Sequence, residues 1–201
     1  MFLSCFYNYN DKMLKQGIKS LEEAIYKDDY CYMIDIVKYT KGLHLNYIFK
    51  TTLLKNKNYK MSLINFACRC NSVKCIKLLI KNNVNINIYD DYGWLPIHYA
   101  SVYHEQYDNK ALNIILSCDD VNLDLKTING EKVFFNNIKF NTKNKTAFQL
   151  ANHFLCYGSC KSIEDFYKNK KFLKKKIKKN KALPVAKMAI PYKKTTSYSN
   201  C

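Results

Sequence analysis

Glycine and proline are scarce in this chain, 5 and 3 among 201 residues, and tryptophan occurs once. That excludes collagen-like sequence, which needs glycine at every third position, and argues against low-complexity linkers. Arginine is almost absent: of the 33 basic residues only Arg69 is not lysine. Bidentate reading of base edges falls largely to arginine, so sequence-specific nucleic-acid recognition is disfavoured. No run of about 18 apolar residues occurs, so no membrane-spanning helix is expected. The stretch Met1–Tyr7 lacks a basic lead and soon meets Asn8 and Asp11, so no secretory leader is expected. The expected location is intracellular, in cytoplasm, nucleus or both. Gly-rich phosphate loops, nucleophile elbows and His-Glu-x-x-His motifs are missing. No catalytic residue, cofactor or metal is expected, and the chain reads as a non-enzyme.

What is present is apolar and aromatic. Hydrophobic residues make up 48%, with 17 Tyr and 11 Phe, enough surface to build a core. The nine cysteines are an odd number in a non-secretory context, which argues against a disulfide framework. Cys68-x-Cys70-x4-Cys75 and Cys156-x3-Cys160 lack a partner pair at zinc spacing, so they read as small buried hydrophobes or inert thiols.

The formal charge of +17 is unevenly placed. Residues 166–201 hold twelve lysines and no acid, which leaves only +5 on residues 1–165. Ser162-Ile-Glu-Asp165 predicts a helix start, with acids at the positive end of the helix dipole. A Lys-rich helix is expected over 166–183, with Phe166, Leu173 and Ile177 on one face, followed by a disordered tail over 184–201. Lys168, Lys170, Lys171, Lys174, Lys175, Lys176, Lys178 and Lys179 fit a solvated cap, a nuclear-import signal, or a patch for nucleic acid or an anionic membrane.

The chain also repeats itself. Lys57–Tyr89, a block of 33 residues, aligns with the stretch that opens at Asp90. Each block carries two short runs of 3–4 spacing, as in Val73–Ile80 and Ala111–Leu116, the mark of helices with one buried stripe. Alternation follows, Val84-Asn-Ile-Asn-Ile88 and Val121-Asn-Leu-Asp-Leu125, which suits an extended finger. Such short helices are not stable alone, so stacking must supply the core.

Asp90-x-x-Gly93-x-Leu95-Pro96-Ile97-His98-x-Ala100 resembles the D-x-x-G-x-T-P-L-H-x-A opening of the ankyrin repeat, with Leu in place of Thr. Lys74-Cys-Ile-Lys-Leu-Leu-Ile80 is similar to that family's second helix, and Asn141–Ala151 and Ser20–Asn46 are weaker copies. The resemblance implies a mainly α solenoid of about three to four helix-turn-helix repeats with β-hairpin fingers, an inserted hairpin and a basic C-terminal helix. The expected layout is an N-terminal extension 1–19, a capping repeat 20–56, repeats 57–89 and 90–127, the inserted hairpin 128–140 and a degenerate repeat 141–165. Ser20 and Glu23 suggest a capping box at the first helix. Gly93 can take the positive φ of a finger tip, and Pro96 suits a first helical turn. The family's histidine, here His98, is implied to bond across repeats; Gly93, Pro96, His98 and Ala100 form the structural motif.

By the same resemblance the chain is a protein-interaction module, a monomer that takes one protein partner on finger tips and inner helices. Carried over residue by residue, that surface is Tyr59, Met61, Tyr89, Asp91, Tyr92, Trp94, Val102, Tyr103, Lys143 and Lys145. Trp94 is expected to be its exposed aromatic anchor. Short, degenerate, Lys/Asn/Ile/Tyr-rich examples resemble viral proteins that imitate the inhibitor of NF-κB, which implies a role in host immune signalling. The alternative is a nuclear, nucleic-acid or anionic-surface role for the Lys-rich helix.

Overall fold

The computed structural model describes residues 15–39, 44–46, 48–50, 60–102, 108–129, 132–135 and 138–181; for 50, 132–135, 138–140 and 172–181 it describes the backbone only. The chain divides into two compact units, 1–164 and 165–201. Helix α1 covers residues 15–26. It is followed by α2 (Tyr30–Tyr39), α3 (Leu63–Arg69), α4 (Val73–Lys81), α5 (Pro96–Val102), α6 (Lys110–Leu116), α7 (Ala147–His153) and α8 (Tyr157–Lys181). Strands β1 (Ile48–Lys50) and β2 (Lys60–Ser62) form one antiparallel pair, β3 (Lys132–Phe135) and β4 (Ile138–Asn141) another. Among the described residues no helix is long and apolar enough to cross a membrane.

Burial accounts for the short helices. All seven residues of α5 are buried, as is α3 up to Cys68. Helices of seven residues hold together only because neighbours cover them. Accordingly α3 packs on α5 and α5 on α7, while α2, α4 and α6 form a second row. Helix α4 has two faces: Cys75, Ile76 and Leu79 are buried, and Lys74, Lys77 and Lys81 are exposed. Fully burying a side chain the size of Leu79 contributes roughly 1.5–3 kcal/mol. The alternating segments behave as their period requires: Val84 and Ile86 are buried between exposed or half-buried asparagines, and so are Val121 and Leu123. In both segments an asparagine carboxamide, Asn85 or Asn122, accepts the amide two residues on and fixes the turn.

Helix ends repeat as well. Asp28, Asn71 and Leu155, just after α1, α3 and α7, each have positive φ. The next residue's amide then reaches five residues back, Asp29 to Ala24, Ser72 to Ala67 and Cys156 to Ala151. This is the Schellman closure. Asn83 does the same after α4. Start signals are equally local. Ser62 caps α3 by accepting the Asn65 amide, and Thr146 forms a full capping box with Gln149.

Three expectations change here. Helix α1 is already formed at residue 15, so Ser20 lies inside it and caps nothing. Leu21, Ala24 and Ile25 set its buried stripe, and nothing upstream in Lys15–Lys19 breaks it. Helix α8 begins at Tyr157 rather than at Ser162, so no acid lies in its first turn and one helix runs from the last repeat into the Lys-rich stretch. Finally, Lys60, which stands where the family has a glycine, sits in β2, so this finger needs no positive φ there. The extra residues after Asn46 supply its partner strand: Phe49 faces Met61, and its ring packs edge-on against Phe66 at 6.0 Å.

Candidate interaction surface

The finger that opens at Asp90 is built from inside. The buried Asp90 carboxylate accepts from the Tyr92 and Trp94 amides at 3.0 and 2.9 Å and from the Tyr99 hydroxyl at 2.5 Å. A buried charge is tolerable when this fully bonded. Gly93 follows at φ +69°, and a Cβ there would stand 2.6 Å from the Asn129 amide nitrogen and 2.8 Å from the Ile128 Cβ. Only glycine meets both the backbone angle and the approach of the next finger. Pro96 then occupies the first helical position, as expected.

His98 closes the arrangement. Its Nδ1 accepts the Leu95 amide at 3.0 Å, so Nε2 carries the proton and donates to the Leu125 carbonyl of the following finger at 3.3 Å. Burial drives the imidazole pKa down to about 4, against the smaller upward pull of the Leu125 bond. The cross-repeat bond implied by the resemblance is therefore present. Asn65, which replaces the histidine one repeat earlier, does the same work with its Nδ2, which donates to the Ile88 and Trp94 carbonyls. Gln149 instead turns back to the Thr146 amide.

Side contacts knit the fingers into a row. Asp91 exchanges bonds with the Lys60 backbone, its amide donating to the carbonyl and its carboxylate accepting from the amide. The Ile128 amide donates to the Gly93 carbonyl, and Asn129 Nδ2 to the Asp91 carbonyl. Beyond them, the Thr127 hydroxyl donates to the Thr142 carbonyl and accepts the Lys145 amide. Thr127 thus staples the two ends of the insertion, and β3–β4 projects from a closed base with Phe135 opposite Ile138.

This geometry separates the expected surface residues. Asp91, Lys143 and Lys145 are exposed and Tyr92 half-buried, all on the finger row. Tyr89 is half-buried, with its hydroxyl donating to the Lys126 carbonyl and its pKa raised by burial. Trp94, Met61 and Val102 are corrections: they are 2%, 0% and 4% exposed. Trp94 lies tilted against Tyr99 at 5.0 Å and edge-on to His98 at 6.2 Å, so the aromatic anchor is core. Tyr59 and Tyr103 lie outside the described residues, as do the side chains of Lys174, Lys175, Lys176, Lys178 and Lys179. Lys168, Lys170 and Lys171 are exposed; Lys168 pairs with Asp165 at 3.4 Å and Lys170 lies over the Phe166 ring. Sequence reasoning missed Lys60, Asn129 and Ile128, the last 54% exposed beside Gly93. Their position at the edges of insertions was the available signal.

Burial pushes the Cys70 and Cys75 thiols up to about 12, so they remain protonated. Among the described residues no group of three His, Cys, Asp or Glu side chains is placed to hold a metal ion.

A comparison with curated proteins gives no match. Residues 30–127, about half of the chain, match the family model for ankyrin repeats in three copies. Repeats of this kind are generally protein-interaction modules and typically non-enzymatic. With stacked helix pairs, a glycine-tipped finger and histidine or asparagine bonds between repeats, the chain is an ankyrin-repeat protein, a member of that family over residues 30–127.

Proposed function

We propose that this protein binds a single protein partner along its finger row, through Lys60, Asp91, Tyr92, Ile128, Lys143 and Lys145. One observation carries the reading: buried side chains fix the row from within, which leaves charged tips and the exposed Ile128 pre-organised for contact. A preset surface spares the ordering cost of binding. Ile128 and Tyr92 are the apolar anchors, and Asp91, Lys143 and Lys145 set charge complementarity. Capture followed by affinity measurement tests this: Ile128→Ala or Tyr92→Ala should weaken the partner about tenfold or more. Unchanged affinity in both variants would remove the finger row from the site. A partner in host immune, NF-κB-type signalling is the finer form of this proposal, tested by direct binding of a purified factor of that class.

A second reading rests on the exposed Lys168, Lys170 and Lys171 of α8. These offer a counterion-releasing patch for phosphate polymers or an import receptor. Phosphate-driven binding falls steeply between 50 and 200 mM salt, whereas finger-row binding, anchored on Ile128 and Tyr92, falls less over that range.

A further inference from the structure

Outer-row helices α2 and α4 lie side by side and enclose a half-open cavity of about 400 Å³. Ile34 and Val37 of α2, Leu45, and Leu78 of α4 give it apolar walls, with the fully buried Met33 directly beneath them. Lys38 and Lys81 also line it, each in the last turn of its helix. The cavity is therefore apolar along the helix bodies and cationic where they end, and no acid is among its described lining residues. Among the described residues neither ammonium makes an ion pair; Lys38 only lies over the Tyr39 ring at 5.2 Å. The axial rise from Met33 to Lys38 is about 7.5 Å, long enough to lay several methylenes of an extended chain against the wall.

Apolar walls alone would accept any greasy side chain. The two lysines that line it favour a ligand with an anionic end, since a carboxylate beside them gains attraction without stripping an ion-pair partner among the described residues from either. We propose that this groove binds an unbranched aliphatic carboxylate of medium length, its chain against Ile34, Val37, Leu45 and Leu78, over the buried Met33, and its carboxylate by Lys38 and Lys81. The site lies on the outer helices and shares no residue with the finger row.

The test uses the full chain with methyl-labelled methionine, titrated with octanoate, decanoate and dodecanoate and with dodecanol, below micelle-forming concentrations. The Met33 methyl signal should shift saturably, and affinity should rise up to roughly fourfold per added methylene until the groove is full. Dodecanoate should bind several-fold more tightly than dodecanol. Lys38→Gln with Lys81→Gln should erase that preference while dodecanol still binds. Ile34→Asp should abolish both; Ile34 is 41% exposed, so folding should survive, with an unchanged Tm as the check. A silent Met33 methyl, or equal affinity for acid and alcohol in the parent protein, overturns the proposal. Self-association that Ile34→Asp abolishes would give the groove to a second copy and overturn it too.

Discussion

At His98 a neutral imidazole is held between a backbone donor and a backbone acceptor, and the protonated ring has no place there. Its pKa is about 4 folded against 6.5 in an open chain. In that window the unfolded state takes up a proton that the folded state refuses, so stability is full above pH 6.5 and falls as pH drops towards 4. The loss should total about 3 kcal/mol, read by urea unfolding across a pH series. His98→Asn should flatten that curve, because Asn65 already makes the equivalent bonds with a group that does not titrate. Leu155 is a separate case: a leucine at φ +58°, 65% exposed, in a position that Asp28 and Asn71 fill in other repeats. Leu155→Gly should raise stability by about 0.5–1 kcal/mol, seen as a Tm increase of a few degrees. At this scale the sequence was legible where the cause is local. Gly93 and Pro96 follow from backbone rules alone. Trp94 did not, because its burial depends on Tyr99 and His98 in the next helix.

Between elements, the brace of the first repeat against the second is the informative case. The Asp28 carboxylate accepts from the Lys74 and Cys75 amides at 2.9 and 3.0 Å and caps α4 from another repeat. Ser72, in the cap position by sequence, gives its hydroxyl instead to the Ile25 carbonyl at the end of α1. Asp28→Gly keeps the positive φ but removes the cap, so it should cost about 1 kcal/mol in chemical denaturation. If stability is unchanged, the α4 amides are satisfied by water alone. Sequence reading finds local caps such as Ser62 and Thr146, whose partners lie three residues away. It cannot find Asp28, whose partners lie 46 and 47 residues away. The same bias put helix starts at Ser20 and Ser162, which look like caps but sit inside helices that local packing extends upstream.

For the whole molecule, the repeats stand or fall with their neighbours. Trp94→Ala should cost about 3–5 kcal/mol by opening a cavity between finger and helix. Since Trp94 is core rather than contact surface, any partner loss in this variant should track the fraction unfolded, measured by circular dichroism in the same samples. Normal affinity for the fraction that stays folded is the expected result; a true contact residue would weaken binding with the fold intact. The repetition of two central blocks was legible at this scale from the 33-residue period, and the fingers from the alternation that follows each, but which side of each finger faces water was not. That depends on the stapled insertion base at Thr127 and on the extra β1–β2 pair.

The bonds from Asn65 and His98 both reach forward, each serving the finger that follows. This gives the stack a polarity that its repeated helices would not suggest. Removing a finger on the C-terminal side orphans a buried side-chain donor in the repeat behind it, whereas trimming the first repeat orphans other groups, the Ser72 hydroxyl and the Lys74 and Cys75 amides at the start of α4. Truncation from the C-terminal end should therefore act on its neighbour through the finger bonds, and truncation from the N-terminal end through the start of the next helix.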